Sequence, residues 1–155
     1  MPKTDHGDDL FRLVYASRAV LPELPRFDEL VAEVVRVSQP NNERAGLTGL
    51  LLAHQGWFVQ VLEGPRRRVS RTFGDIGRDL RHVHLEVLAA GPAESRLFGA
   101  WSMCARGLSP MAAPILKTLD LEGDFDPFAL AGEKALHLLQ AIAQLAPDPP
   151  PRTAR

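Results

Sequence analysis

The stretch Gly56-Trp57-Phe58-Val59-Gln60-Val61-Leu62-Glu63-Gly64 sets the strongest constraint on what this chain can fold into. Aromatic and β-branched residues between bracketing glycines predict a buried strand. A period of two puts Phe58, Gln60 and Leu62 on one face and Trp57, Val59 and Val61 on the other. Gln60 therefore lands among apolar neighbours. Its amide offers two donors and an acceptor, and leaving them unpaired in a core costs ~1–3 kcal/mol or more. A partner for Gln60 is required, from the chain or from a ligand.

With 155 residues the chain is long enough to bury a real core within one compact domain. Eighteen basic against 19 acidic residues give a net charge of -1, which does not call for nucleic acid or an acidic membrane surface as a partner. The single cysteine, Cys104, excludes an internal disulfide and leaves too few thiols for a structural zinc site, in keeping with a reducing cytoplasm. No charged-then-apolar leader opens the sequence and no apolar run approaches the ~20 residues that span a bilayer, so a soluble cytoplasmic protein is expected.

Residues 1–9 are polar and predicted to be flexible. Leu10 to Ser17 alternates as a first strand, with Phe11, Leu13, Tyr15 and Ser17 on one side and Arg12, Val14 and Ala16 on the other. Tyr15, the only tyrosine, thus lies on an apolar face, where its hydroxyl needs a hydrogen-bond partner whether its role is structural or functional. A helix is predicted from a cap at Asp28, carrying Leu30, Val31, Val34 and Val35 and ending at Pro40. The turn that follows, through Asn41 and Asn42, supplies amides suited either to capping backbone groups or to contacting a ligand.

Leu47 to His54 reads as a buried strand, and Gln55-Gly56 turns it into the Gln60 strand as a hairpin. Gly64-Pro65 ends that strand and opens a second helix with Val69, Phe73, Ile76 and Leu80 as its stripe. Arg66, Arg67 and Arg68 suit a phosphate or a solvated helix end, while Arg78, Arg81 and His82 place cations toward the helix C-terminus, where the macrodipole favours them. Leu85 to Ala90 forms a fourth strand, broken by Gly91-Pro92. Leu97 to Cys104 forms a fifth, with Trp101 and Met103 pointing the same way. Beyond Gly107, Ser109-Pro110 predicts a short helix to about Leu119. Asp126-Pro127 predicts a longer one with Phe128, Ala131, Ala135, Leu138, Leu139 and Ile142 as its stripe, before a Pro-rich tail.

This order of elements is an α+β plan, a ferredoxin-like βαββαβ sheet with an extra fifth strand, two helices on one face and C-terminal helices. Such a plan names no function. The motifs are more specific. Tyr15-Ala16-Ser17, Asn42 to Gly49 with its Leu47-Thr48-Gly49, Phe58 to Gly64, Asp79-Leu80-Arg81-His82 and Trp101-Ser102-Met103 together resemble the BLUF family of flavin-binding blue-light sensors, over residues 10–105.

The resemblance implies a flavin, FAD with FMN as the alternative, lying between the two helices with its polar edge toward Tyr15 and Gln60, and a Tyr15 hydroxyl that pairs with the Gln60 amide so that Gln60 stands between tyrosine and flavin. It implies that Tyr15 gives the excited flavin an electron and a proton and that Gln60 is left rearranged, red-shifting the absorption. It also assigns cofactor contacts to Ser17, Asn42, Phe58, Arg81, His82 and Met103, and places Trp101 with Met103 in the photoactive network. Asn41 departs from the histidine or larger residue that many relatives carry there.

No catalytic pair and no metal site accompany these residues. The expected organisation is a flexible N-terminus (1–9), a flavin-binding domain (10–105), a helical extension (106–145) and a disordered tail (146–155). The expected output is contact with a protein partner or self-association, a dimer or larger, without direct nucleic-acid or membrane binding. Two other readings stand beside this one: a flavin-dependent redox enzyme and a flavin-free ferredoxin-like binding module.

Overall fold

The computed structural model describes residues 9–20, 26–99, 105–106, 114, 117 and 126–145. The elements run β1 (Leu10–Ala19), α1 (Arg26–Ala45), β2 (Thr48–His54), β3 (Trp57–Pro65), α2 (Arg66–Gly77), β4 (His82–Pro92), β5 (Ala105–Arg106), a 3-10 turn (Pro127–Ala129) and α3 (Gly132–Leu145). They build a five-stranded sheet in the order β4-β1-β3-β2-β5. The first four strands pair antiparallel, and β5 adds parallel to β2. This is the α+β plan expected from the order of elements.

The alternation read from β1 and β3 holds on both faces. Leu13, Tyr15, Phe58, Leu62 and Leu51 are buried with Phe27 and Leu30 of α1 and Val69 of α2. Val14, Ala16, Leu50, Leu52, Trp57, Val59 and Val61 are buried on the opposite face with Phe98, Leu130 and Ala135, Leu138, Leu139 and Ile142 of α3. The amphipathic C-terminal helix therefore finds its partner on the far side of the sheet, so helices cover both faces.

Several boundaries differ from the sequence expectation. Helix α1 does not end at Pro40 but carries it internally and continues to Ala45. Proline removes one N–H from the ladder, which a helix pinned to a sheet by Phe27, Leu30 and buried Asn42 tolerates. The stop signal is Gly46, at φ +71°, where the amides of Gly46 and Leu47 bond the carbonyls of Glu43 and Asn42. At its other end the helix starts at Arg26, so Asp28 and Glu29 sit in the first turn, at the positive end of the macrodipole, instead of capping it.

Strand β4 is longer than expected at both ends. Helix α2 stops at Gly77, and the backbone N–H of Arg81 bonds Asp79 Oδ1 in the turn, which frees His82 to open the strand. Gly91 and Pro92 stay paired with Arg12 and Phe11, because β4 is an edge strand and proline needs no donor on its open side.

The expected fifth strand over residues 97–104 is only partly described. Leu97 to Gly99 is bent and irregular, since the amides of Leu97 and Phe98 go to the Glu63 carboxylate and not to a ladder. The described strand comes later, at Ala105–Arg106; Ala100, Trp101, Ser102, Met103 and Cys104 lie outside the described residues.

The last helix splits. Asp126 Oδ1 accepts from the Phe128 amide to cap the 3-10 turn, and α3 starts only at Gly132. A Cβ at Gly132 would stand 2.5 Å from the Leu88 carbonyl oxygen, so glycine is what lets the chain pass this close to β4. Of the helix expected over residues 110–119 only Pro114 and Lys117 are described, both helical.

Candidate functional site

Sheet register decides the centre of the site. Tyr15 on β1 lies directly across from Gln60 on β3, and Gln60 lies across from Leu51 on β2. All three point to the face covered by α1 and α2. The Tyr15 hydroxyl donates to Gln60 Oε1, and both side chains are almost fully buried, at 3% and 4% exposure. The amide that sequence periodicity placed in a core is thus met first by the tyrosine whose hydroxyl needed a partner. Burial, with a smaller contribution from the Asp79 carboxylate, pushes the Tyr15 phenol far above its ordinary range, so the ring stays protonated.

Above this pair, α1 and α2 do not close. An inner chamber is lined by Tyr15, Val34, Ser38, Leu51, Phe58, Gln60, Ile76, Asp79, Arg81 and His82. Its polar groups come from the sheet (Tyr15, Gln60), from α1 (Ser38) and from the segment after α2 (Asp79, Arg81, His82). It runs into a wider outer groove between the C-terminal half of α1 and α2, because Ser38, Gln60, Ile76, Asp79 and Arg81 line both.

The sequence-derived residues are distributed unevenly over this space. Tyr15, Phe58, Gln60, Arg81 and His82 line the inner chamber, whereas Asn42, only 3% exposed, lines the outer groove on the last turns of α1. The extension of α1 past Pro40 puts it there. Asn41, also on the groove, is exposed and accepts from Arg44 Nη2. Ser17 is not brought to the cavity. Its hydroxyl sits 2.8 Å from His82 Nδ1, while His82 Nε2 lies 2.6 Å from the Ile76 carbonyl oxygen. A carbonyl only accepts, so Nε2 carries the proton, and in the neutral ring Nδ1 accepts from Ser17. Ser17 thereby orients His82. Trp101 and Met103 lie outside the described residues.

Arg81 is held more tightly than its motif suggests. Its Nε lies 2.9 and 3.0 Å from the Asp79 carboxylate oxygens and its Nη2 2.7 Å from Oδ2, a forked pairing, with Glu33 3.8 Å from Nη1. This bonding holds the Asp79 carboxyl below its ordinary value of 3.8 and raises Arg81.

Three further residues escaped sequence reasoning. Asp79 was visible only as part of a motif, although an aspartate two residues before Arg81 is an Asx-turn signal. Ser38 follows Val34 and precedes Asn42 by four residues each, so the helical period already placed it on the sheet-facing stripe as a polar anomaly of the same kind as Gln60. Glu63 is fully buried, and its carboxylate takes Arg12 Nε at 2.8 Å, the Leu97 and Phe98 amides at 2.8 and 2.9 Å and Thr48 Oγ1 at 3.3 Å. No periodicity reveals that role, because the partners come from β1, β2 and the segment after β4.

A family model described as sensors of blue-light using FAD, BLUF, matches residues 10–104. The chain belongs to the BLUF family. Its chromophore is accordingly a flavin. Among solved structures the fold is similar to the BLUF protein BlrB in its dark state, with a TM-score of 0.71 and 33% identity over 90% of this chain and 99% of that one. It is also similar to BlsA in its photo-activated state, with a TM-score of 0.77 over 86% and 94% of the two chains, where 23% identity speaks for the fold alone. A photoactivated adenylate cyclase subunit alpha-like protein of Euglena gracilis is 37% identical over 94 residues, 61% of this chain. The match spans only 9% of that relative's length.

The residues present fit a BLUF chromophore. A flavin ring system is planar and apolar across its faces, with alternating carbonyl acceptors and ring nitrogens along one edge. Val34, Leu51, Phe58 and Ile76 would provide the apolar lining, and the amides of Gln60 and Asn42 with the Arg81 guanidinium would offer donors and acceptors to that edge. Among the described residues no group of three or more His, Cys, Asp or Glu is placed to hold a metal ion, and no helix is long and apolar enough to cross a membrane.

Proposed function

We propose that this BLUF chain reports blue light by rearranging the hydrogen bond between Tyr15 and Gln60. The observation that carries the reading is the Tyr15 hydroxyl donating to Gln60 Oε1 at the floor of the chamber. A bound flavin supplies the light-absorbing ring and the acceptor of an electron. Tyr15 is the electron and proton donor. Burial disfavours charge on the Tyr15 ring, so loss of an electron would be accompanied by loss of its proton along the bond to Gln60, with the flavin as the final acceptor of both. Gln60 presents an acceptor to Tyr15 and has a donor end of nearly the same size, so rotation or tautomerisation of the amide exchanges the two at small steric cost. Asn42, Phe58, Arg81 and His82 seat the flavin, Ser17 fixes His82, and Trp101 and Met103 belong to the same network.

The signal leaves across the sheet. Leu51, the cross-strand neighbour of Gln60, pairs in turn with Ala105 of β5, so one row joins Tyr15, Gln60, Leu51 and the strand at the far edge. From there it reaches the C-terminal extension (106–145) and changes contact with a protein partner or a second copy of the chain. FAD is the proposed flavin, in line with the family description, and the cytoplasm the proposed compartment.

Absorption spectroscopy tests the core of this reading. The flavin-loaded protein is expected to shift ~10 nm to the red under blue light and to recover in darkness, as hydrogen bonding retunes the cofactor. Gln60→Glu and Tyr15→Phe are expected to keep the bound flavin and lose the normal shift. A normal shift in both variants removes the mechanism. Flavin released by denaturation and chromatographed identifies FAD or FMN.

A further inference from the structure

The outer groove carries a charge that the chain as a whole lacks. Arg44, Arg68, Arg71, Arg78 and Arg81 line it against only Asp75 and Asp79, in a protein of formal net charge -1. Three of these arginines are engaged within the protein: Arg44 with Asn41, Arg78 with Asp75 at 2.5 Å and Arg81 with Asp79 at 2.7 Å. Arg68 and Arg71 have no hydrogen-bond or ion-pair partner among the described residues.

The spacing of these two is informative. Three residues apart in the first two turns of α2, they share one face and both open onto the groove. They also lie toward the end of α2 where the macrodipole is positive and where Pro65 supplies no side-chain cap. Two cations left side by side at the positive end of a helix repel one another, and an anion relieves that repulsion. Their neighbour Arg66 behaves differently, its guanidinium lying over the Phe11 ring at 5.6 Å. The run of three arginines is therefore not one solvated patch. One member covers the edge of the core and another faces the groove.

We propose that Arg68 and Arg71 form a phosphate cradle at the outer end of the flavin slot, gripping the 5′-phosphate that FMN and FAD share and riboflavin lacks. The inference rests on the flavin reading of the inner chamber. A ring seated against Gln60 sends its ribityl tail into the groove that shares Ser38, Ile76 and Arg81 with that chamber. Guanidinium groups match phosphate oxygens in fork geometry, so the pair adds both charge and direction to binding. The cradle makes the protein selective for phosphorylated flavins while leaving the ring-binding residues untouched.

Titration of flavin-free protein with riboflavin, FMN and FAD, followed by flavin fluorescence at two salt concentrations, tests the cradle. FMN and FAD are expected to bind at least ~10-fold more tightly than riboflavin, the order given by charge-assisted hydrogen bonds, with the advantage shrinking as salt rises. Arg68→Ala combined with Arg71→Ala should erase most of that advantage and leave riboflavin affinity unchanged. Both side chains are exposed, so the fold should survive. The paired Lys substitutions should restore part of the advantage, because they return the charge without the fork. Equal affinity for all three flavins in the unaltered protein overturns the cradle, as does an advantage that persists in the double alanine variant. Riboflavin binding without phosphate preference brings down the cradle alone; failure to bind any flavin brings down the slot and the cradle together.

Discussion

The two faces of the sheet are built from alternate residues of the same strands, yet they meet their covering helices differently. On the α3 side, Val14, Ala16, Val59 and Val61 are sealed against Leu138, Leu139 and Ile142 in a dry core. On the other side, Tyr15 and Gln60 stand between those apolar positions, and α1 and α2 part above them to leave a chamber. One face is packed for stability and the other is held open around a hydrogen bond. A buried polar pair survives there only because its partners are fixed by register and because the opposite face holds the strands in place.

Glu63 belongs to the packed side of β3, three residues from Gln60, and its removal should have the largest effect. Glu63→Ala leaves Arg12 and the Leu97 and Phe98 amides without their acceptor, and ~3–5 kcal/mol of stability should be lost, as for other buried pairs broken from one side. Denaturant unfolding reads that loss, and hydrogen exchange should show Leu97 and Phe98 deprotected. A loss under 1 kcal/mol would mean that the carboxylate network does not bind the segment after β4 to the sheet.

Truncation within the dry core comes next. Leu138→Ala should cost ~2–5 kcal/mol through lost burial and the cavity left behind, while the light-induced absorption shift of the folded fraction stays unchanged. A shift altered as strongly as the stability would erase the distinction between the two faces.

The smallest expected effect lies at the rim of the chamber. Asp79 has its carboxyl held below its ordinary 3.8 by Arg81, so the folded state binds its proton less readily than the unfolded chain. Its stabilising contribution is complete above that value and fades as pH falls through the lower folded value. Asp79→Asn should therefore lower stability slightly and by a constant amount in the neutral range, with the deficit against the unaltered protein closing as pH falls below 3.8. An unchanged acid limb in thermal melts across that range would show that the fork between Arg81 and Asp79 contributes nothing.

Much of the site was legible from periodicity and chemistry. Gln60 stood out as an amide on an apolar strand face, and Tyr15 as a hydroxyl in need of a partner. That they would meet was implied by the family resemblance alone, since it is a matter of pairing register, which single-strand periodicity does not report. Asn42 was placed in a turn because Pro40 reads as a helix stop; burial of the α1 stripe outweighs the one lost hydrogen bond, and the asparagine ends up on a helix. Ser38 carried a readable signal, while the splitting of the arginine run carried none.

The sequence by itself determined which residues face which side of each strand, the order of the elements, and the set of motifs that place the chain with the blue-light sensors. Those properties follow from local geometry, since side-chain direction repeats every two residues in a strand and every 3.6 in a helix. Tertiary structure alone decided the register that sets Tyr15 opposite Gln60, that Glu63 gathers groups from three separate segments, and that Arg68 and Arg71 are left without a partner among the described residues. Those outcomes depend on contacts between residues far apart in the chain, which exist only once the sheet has chosen its register and the helices have docked on its two faces.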